Sequence, residues 1–261
     1  MKICVLVKEV PDAAVEKKIN PSTGRMDRSG EKNLNPYDTH AIEAAMQIKE
    51  GGTVPVEEIV AVTMGPESAV RALHKAVSLG ADRSVHLSDE VVAGSDVAAT
   101  GYALAKTLQR ESPDLVLLGQ QSDDGECYTI GAVVAEHLGM PSLTQVIKMD
   151  VESEALRCER QAEYGYDTVQ IKLPAVISVG DAINEPRYPS LKAIMGRRRS
   201  RWTASAPAMW RSTRAKWAAR TPPLSGSLRR RRRRRPRARS SRTRTPTRPS
   251  RRSWPGSTRG S

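Results

Sequence analysis

Residues 114–139, DLVLLGQQSDDGECYTIGAVVAEHLG, contain the patterns of a strand, a polar loop and a helix in direct succession. The apolar run 115–118 lies between Pro113 and Gly119 and is too short for a buried helix. It therefore predicts a strand covered on both faces, as in a parallel sheet. From Ile130 the apolar residues recur at helical spacing, and Gly139 predicts the end of that helix.

The loop between this strand and this helix is the candidate binding site. In an open α/β sheet, ligands bind beyond the carboxyl ends of the strands, and a helix start offers free N–H groups to an anion. An ordinary strand-to-helix connection explains the same pattern, and two loop carboxylates disfavour a bare phosphate unless they face sugar hydroxyls. The candidate residues are Gly119, Gln120, Gln121, Ser122, Asp123, Asp124, Gly125, Glu126, Cys127, Tyr128, Thr129 and Ile130.

The rest of the chain repeats the alternation of strand and helix. Buried strands are predicted at residues 3–7, 59–63, 84–87 and 175–179, with helices beginning at Asn35-Pro36, Pro66 and Ser95-Asp96. Residues 17–26 predict a hairpin, and alternation at 146–151, 156–160 and 168–173 predicts an antiparallel meander. The predicted fold class is α/β: a Rossmann-like parallel sheet with helices on both faces, plus the meander.

Composition divides the chain between residues 195 and 196. Residues 196–261 contain 22 Arg, one Lys and no acidic residue, so the preceding part keeps 19 of the 42 basic residues and all 29 acidic ones. The first part is therefore strongly acidic, and the second is an Arg-rich tail without Val or Ile. We predict one folded domain over 1–195 and a disordered tail over 196–261.

Several function classes lack their sequence signals. Cys4, Cys127 and Cys158 have neither disulfide nor metal spacing, and no secretory leader precedes the first strand, so we expect a reducing, cytoplasmic location. The chain has no apolar run of membrane-spanning length. It also contains no Walker loop, Gly-x-Gly-x-x-Gly motif or nucleophile elbow, which disfavours standard kinase and hydrolase chemistry.

A set of short motifs in a fixed order resembles the electron-transfer flavoprotein β subunit. The most telling are LPAVISV at 173–179 and NEPRYPSL at 184–191, preceded by VK at 7–8, NP at 35–36, GP at 65–66, LGADR at 79–83 and LLG at 117–119. Each motif is weak alone. Together they cover residues 1–195 and agree with the predicted order of strands and helices.

This resemblance implies an electron carrier without catalytic residues of its own. The family pairs with an α subunit that holds the redox-active FAD, and it accepts electrons from flavin dehydrogenases such as acyl-CoA dehydrogenases. The β subunit itself resembles a binder of AMP, or of a second FAD in bifurcating relatives. The positions that match the family's nucleotide site are Leu6, Asn35, Met64 and the loop Gly119–Ile130.

The end of the loop and Leu191 differ in how closely they follow the family pattern. AMP-binding members often end the loop with Asn-Gln-Thr where this chain has Tyr128, Thr129 and Ile130, so we expect the Thr129 hydroxyl and backbone N–H groups to contact phosphate instead. Leu191 matches the exposed leucine that docks on partner dehydrogenases. Its helical spacing with Ile194 and Met195 also fits a core residue.

The alternative to an electron-carrier subunit is a protein of a different class, a stand-alone module that binds an adenine nucleotide.

The Arg-rich tail has the composition of a GC-rich gene translated out of frame. Where the family continues with Ala-Lys-Lys-Lys-Pro-Leu-Asp, this chain has GRRRSRWT at 196–203. Joining the last base of each codon to the first two bases of the next can restore that family sequence, and the Asp is forced because Trp202 ends in G and Thr203 begins with AC. The competing interpretations are a basic arm for nucleic acid, with seven consecutive Arg at 229–235, and a membrane-surface tail.

Sequencing the gene around codon 196 tests the frame directly. We expect a run of G that is one base short, and restoring the base should open a frame encoding Ala-Lys-Lys-Lys. The restored protein should bind the α subunit more tightly, because the family's authentic C-terminal segment wraps that subunit. An uninterrupted frame in genomic DNA, together with a tail protected from hydrogen exchange, would support the basic-arm interpretation instead.

Overall fold

Strands and helices alternate along the chain as the apolar pattern predicts. The computed structural model describes residues 1–189 and the backbone of 202–204. The first half contains β1 (Lys2–Leu6), β2 (Glu9–Pro11), β3 (Ile19–Asn20), β4 (Arg25–Met26), β5 (Lys32–Leu34), α1 (Pro36–Gly51), β6 (Glu58–Met64), α2 (Val70–Leu79) and β7 (Arg83–Leu87). The second half contains α3 (Val97–Glu111), β8 (Leu115–Gly119), α4 (Ile130–Leu138), β9 (Ser142–Val151), β10 (Ala155–Ala162), β11 (Gly165–Lys172), β12 (Ala175–Val179) and β13 (Trp202–Ala204).

One mainly parallel sheet organises these elements. Its strand order is β11-β10-β9-β12-β8-β1-β6-β7-β13. Strand β1 lies in the middle and pairs in parallel with both β6 and β8. The predicted meander β9–β11 is antiparallel, and it joins the sheet through a parallel pairing of β9 with β12. The predicted α/β class and the added meander are therefore confirmed.

Helices cover both faces of the sheet because successive side chains of each buried strand point in opposite directions. On β1, Ile3 and Val5 pack with residues of α1 and α2, whereas Cys4 and Leu6 pack with residues of α3 and α4. The neighbouring strands β6 and β8 alternate in the same way. Burial on both sides explains why these strands are continuous apolar runs rather than alternating ones.

Helices α3 and α4 pack closely where α3 carries a glycine. A Cβ on Gly101 would lie 2.4 Å from Val133 Cγ1 and 2.9 Å from its Cβ. Such a distance is too short for a side chain, so the glycine allows the two helices to approach each other. The side chain of Asp96 caps α3 by accepting a hydrogen bond from the Ala99 N–H at 2.8 Å, as expected for Asp before a helix.

The predicted elements differ from the observed ones at a few places. The hairpin predicted at 17–26 is confirmed as the pair β3–β4, whereas the short ribbon β2–β5 was not predicted. Residues 202–204 form the strand β13, which pairs in parallel with β7, and the predicted disorder of the tail stays a prediction. The rest of the tail, Leu191 and the predicted boundary at 195/196 lie outside the described residues.

The close approach at Gly101 makes a stability prediction. Gly101→Ala should lower the free energy of unfolding by about 1 kcal/mol, because an overpacking cost of about 1–3 kcal/mol exceeds the 0.5–1 kcal/mol that Ala gains in a helix. Gly51→Ala is the matched control, since a Cβ there meets nothing within 4 Å, and it should be neutral or stabilising. Urea denaturation of both variants measures the difference. Equal stability of the two variants would contradict the packing argument.

Candidate functional site

A cavity of about 1150 Å³ opens at the carboxyl ends of the central strands. Leu6, Met64 and Gly119, at the ends of β1, β6 and β8, line it together with Asn35, which precedes α1. The structure therefore brings the predicted residues from all four separate segments together. Of the predicted loop residues, those that also line the cavity are Gln120, Gln121, Ser122, Asp124, Gly125, Cys127 and Ile130. Those that do not are Asp123, Glu126, Tyr128 and Thr129.

Asn35 joins the start of α1 to the candidate loop. Its side chain is buried, and its Nδ2 donates to Gln121 O at 2.8 Å and to Asp38 Oδ1 at 2.9 Å. Its Oδ1 accepts from the Asp123 N–H at 3.0 Å. Asn35 is the N-cap residue of α1, but its side chain makes no capping hydrogen bond. Its amide instead fixes the loop backbone.

Asp38 lies beside Asn35 in the first turn of α1 and accepts hydrogen bonds from three segments of the chain. The Lys8 N–H donates to Oδ2 at 2.8 Å, and the Gly119 N–H and Asn35 Nδ2 donate to Oδ1 at 3.2 and 2.9 Å. Burial raises the pKa of the Asp38 carboxyl to about 7, against the opposing effect of these hydrogen bonds and of the Lys8 charge. The carboxyl thus connects the ends of β1 and β8 to the first turn of α1.

Gly119 is required where β8 passes the start of α1. A Cβ at this position would lie 2.6 Å from the carbonyl carbon of Tyr37 and 2.7 Å from Asp38 Oδ1. Because those neighbours are backbone and a fully hydrogen-bonded carboxyl, neither can move cheaply. A glycine here permits the loop to begin directly against α1.

The loop carboxylate Asp124 is held by two cations. Its side chain is fully buried and accepts from Lys8 Nζ at 2.6 Å on Oδ1, and from Arg28 Nε and Nη2 at 2.8 and 2.6 Å on Oδ2. Burial opposes ionisation of Asp124, but hydrogen bonds and charges from Lys8 and Arg28 outweigh it and hold the pKa below its ordinary value. Lys8 Nζ also donates to Ser122 Oγ at 3.0 Å.

The β3–β4 hairpin forms another wall of the cavity. Ile19, Arg25, Met26 and Arg28 all line it. Beside the hairpin, Lys17 Nζ donates to Asp123 O at 2.6 Å and forms an ion pair with Asp123 Oδ2 at 2.8 Å. The hairpin is therefore tied to the candidate loop by Arg28 and Lys17.

The start of α4 supplies N–H groups to the cavity. Ile130 and Gly131, the first two residues of α4, line it, and the first N–H groups of a helix have no intrahelical acceptor. The preceding Thr129 is exposed, and its hydroxyl lies 3.0 Å from Cys127 Sγ. The helix start at Ile130 and Gly131 therefore lies at the cavity, whereas Thr129 is not among the lining residues.

Sequence reasoning missed three charged residues of the site. Lys8 directly follows β1, so its place at the carboxyl edge of the sheet could have been inferred. Asp38 is an acidic residue in the first turn of α1, a common position for such a residue that does not by itself signal a binding site. Arg28 lies 96 positions before Asp124 along the chain, and no local pattern signals that contact.

Comparison with known proteins gives the family of this fold and site. A family model described as "Electron transfer flavoprotein domain" matches residues 23–208. The electron transfer flavoprotein subunit beta of Mycobacterium tuberculosis is 41% identical over 205 residues, which cover 77% of each chain. The chain belongs to the electron-transfer flavoprotein β-subunit family. The resemblance identified from its motifs is therefore confirmed.

Other relatives extend this family assignment to different organisms. The electron transfer flavoprotein subunit beta of Thermoanaerobacterium thermosaccharolyticum is 39% identical over 197 residues, or 74% of each chain. The Caffeyl-CoA reductase-Etf complex subunit CarD of Acetobacterium woodii is 39% identical over 197 residues, covering 75% of this chain and 74% of its own. These names point to electron carriers rather than to stand-alone catalysts.

Within residues 1–189 and 202–204, no helix is both long and apolar enough to span a membrane.

The two loop carboxylates make a matched pair for testing the site. Asp124→Asn should lower the free energy of unfolding by roughly 2 kcal/mol, because it removes the carboxylate that pairs with Lys8 and Arg28. The loss should not be larger, because both cations are half-exposed and can be hydrated again. Asp123→Asn should change stability little, since its ion pair with Lys17 is more exposed. Urea denaturation at neutral pH measures both variants. A larger loss of stability in Asp123→Asn than in Asp124→Asn would show that the ion pairs of Asp124 do not order the loop.

Proposed function

We propose that this chain is the β subunit of a heterodimeric electron-transfer flavoprotein. It would accept electrons from flavin dehydrogenases, such as acyl-CoA dehydrogenases, through an FAD held mainly by an α subunit. Its own cavity would hold AMP as a structural nucleotide, and Leu191 would contact the dehydrogenase. The family assignment and the cavity at the carboxyl ends of β1, β6 and β8 support this function.

The residues around the cavity fit a nucleotide. The first N–H groups of α4 suit a phosphate, because a helix start combines free donors with the positive end of the helix dipole. Lys8 and Arg28 add positive charge nearby, although Asp124 compensates much of it. The Gln120 and Gln121 side chains offer neutral donors and acceptors beside Leu6 and Met64, which suit ribose and base.

The chemistry of electron transfer would belong to the FAD, which takes up and releases electrons when it is bound. This chain would bind the structural nucleotide, keep the binding loop oriented and present Leu191 to the dehydrogenase. Asn35 and Asp38 hold the loop in place, Gly119 lets it approach α1, and the β3–β4 hairpin covers one side of the cavity. The three free thiols agree with a role in the reducing cytoplasm.

A second FAD in the cavity is the alternative, because the cavity is large enough to admit it. Pockets for drug-sized ligands usually span about 300–1,000 Å³, whereas this cavity measures about 1150 Å³. It extends past the phosphate-binding end to the segment Ser88–Val97 and could therefore accept more than a mononucleotide. One relative at 39% identity belongs to a reductase–Etf complex, which makes this alternative worth testing.

Release of bound nucleotides tests both possibilities. The chain should be co-expressed with an α subunit, the yellow complex denatured, and the released nucleotides separated and quantified. We expect one FAD and one AMP per heterodimer. Release of two FAD and no AMP per heterodimer would show that a second FAD, and not AMP, occupies the cavity. A colourless monomer that releases only AMP or ATP would support the stand-alone nucleotide-binding module instead.

A carboxylate placed beside the start of α4 should weaken nucleotide binding. Cys127 lines the cavity and Thr129 does not, so Cys127→Asp and Thr129→Asp are a matched pair with the same new charge. We expect Cys127→Asp to weaken AMP binding at least tenfold by repulsion at short range. Thr129→Asp should have a much smaller effect, and equilibrium dialysis compares the two. Equal losses would show that phosphate binds outside the cavity.

A further inference from the structure

Residues 12–31 run between β2 and β5 and carry the β3–β4 hairpin; we call them the covering segment. None of its residues is buried, and none belongs to the hydrophobic core of the part of the chain that the structure describes. Four of its side chains nevertheless line the cavity: Ile19, Arg25, Met26 and Arg28. A segment that covers a cavity without sharing the core needs other contacts to stay in place.

The ribbon β2–β5 anchors both ends of the covering segment. Val10 in β2 and Leu34 in β5 are buried. Beside them, the buried Glu9 carboxylate accepts a hydrogen bond from Ser68 Oγ at 2.9 Å and forms an ion pair with Lys32 at 3.0 Å. The base of the segment is therefore fixed, whereas the hairpin beyond it has no core packing of its own.

Two cations fasten the hairpin to the candidate loop. Arg28 Nε and Nη2 donate to Asp124 Oδ2 at 2.8 and 2.6 Å. Lys17 Nζ donates to Asp123 O at 2.6 Å and forms an ion pair with Asp123 Oδ2 at 2.8 Å. These contacts hold one side of the hairpin at the rim of the cavity that follows β8.

The hairpin also reaches the rim that follows β7. Strands β1 and β6 lie between β8 and β7 in the sheet, so these two rims are on opposite sides of the cavity. The Arg25 guanidinium packs so closely on Gly94 that a Cβ at this glycine would lie 2.6 Å from Nη2. Gly94 also has a φ of 75°, a conformation that favours glycine. The hairpin thus bridges the cavity from one rim to the other.

The contact between Arg28 and Asp124 can break without leaving a buried charge alone. The Asp124 side chain is fully buried, but it keeps its ion pair with Lys8 at 2.6 Å when Arg28 leaves. The Arg28 side chain is 42% exposed and can be hydrated. Ion pairs with an exposed partner contribute less than fully buried ones. The hairpin can therefore move away from the cavity at a cost well below that of unfolding.

We propose that the covering segment is a gate over the cavity and that Arg28 is the positioning residue that latches it shut through Asp124. The proposal rests on the proposed function, since that function supplies the nucleotide. A nucleotide would enter and leave while the latch is open, so Arg28 would control the rate of exchange more than the affinity. The latch belongs to this chain alone and can also be tested without a nucleotide.

The kinetics of nucleotide release test the gate. Full chain loaded with radiolabelled AMP is chased with unlabelled AMP to measure the release rate, and equilibrium dialysis measures Kd. In Arg28→Gln the release rate should rise about tenfold while Kd changes less than about twofold, because an open gate speeds entry and exit alike. Lys18→Gln is the matched control, since it removes the same charge but Lys18 pairs within the segment, with Glu16 at 2.8 Å. It should leave both values unchanged.

Two results of this experiment would overturn the gate. An unchanged release rate in Arg28→Gln would show that the contact with Asp124 does not limit exchange. A Kd that rises as much as the release rate would show that Arg28 binds the nucleotide itself. Lys17→Gln removes the other fastening and should raise the release rate about threefold, so the gate can still be tested if Arg28→Gln folds poorly.

Hydrogen exchange of the full chain without nucleotide tests the latch. Within the hairpin, the Asp27 N–H donates to Lys18 O and the Gly24 N–H donates to Asn20 O, both at 2.8 Å. A two-stranded hairpin without support is marginally stable, so these amides should exchange about tenfold faster in Arg28→Gln. The Lys18→Gln chain should match the parent, and β1 and β8 should stay protected in all three. Equal exchange of the hairpin in all three chains would overturn the latch.

Failure of the proposed function would give a different result. A parent chain that retains neither AMP nor FAD would contradict that function, and hydrogen exchange would still decide the latch. A parent chain that binds AMP but releases it as fast as Arg28→Gln would leave the proposed function intact and overturn the gate.

Discussion

A single buried corner, built from Asn35 and Asp38, holds the site together. Three parts of the chain meet there: the end of β1, the start of α1 and the end of β8. Each contributes a backbone or amide N–H to the Asp38 carboxyl, while Asn35 holds the loop backbone from Gln121 to Asp123. Polar groups that are buried must find partners, so this arrangement has few alternatives. The cavity is consequently shaped before any ligand binds, which lowers the entropy cost of binding.

The charges around the cavity are largely compensated within the protein. Asp124 faces Lys8 and Arg28, and Asp123 faces Lys17. A phosphate would therefore find oriented N–H dipoles at α4 rather than a strong excess of lysine and arginine. Compensation of this kind keeps the loop folded at the cost of long-range attraction for anions.

Much of the fold could be predicted because its signals are local. The apolar runs that became β1, β6, β8 and β12 are buried on both faces, so each shows its strand character without reference to the others. The place of β12 between β8 and β9 was not predictable, because strand order depends on pairings between distant segments. In the site, the predicted strand, loop and helix all contribute residues to the lining of the cavity. The contacts of Arg28 and Asp38 escaped prediction since they join residues 81 to 96 positions apart.

The place of β12 has a consequence for how the protein is made. On the ribosome, β1, β6, β7 and β8 are complete by residue 119 and can already form one continuous sheet. The meander β9–β11 emerges from the ribosome next. It cannot join that sheet until β12 has been synthesised and has paired with β8. For that interval a hairpin-rich segment with exposed strand edges must wait, and such edges readily pair with the wrong chains. The eight strands from β11 to β7 are complete once residue 179 has been made, ahead of the Arg-rich sequence that begins at 196.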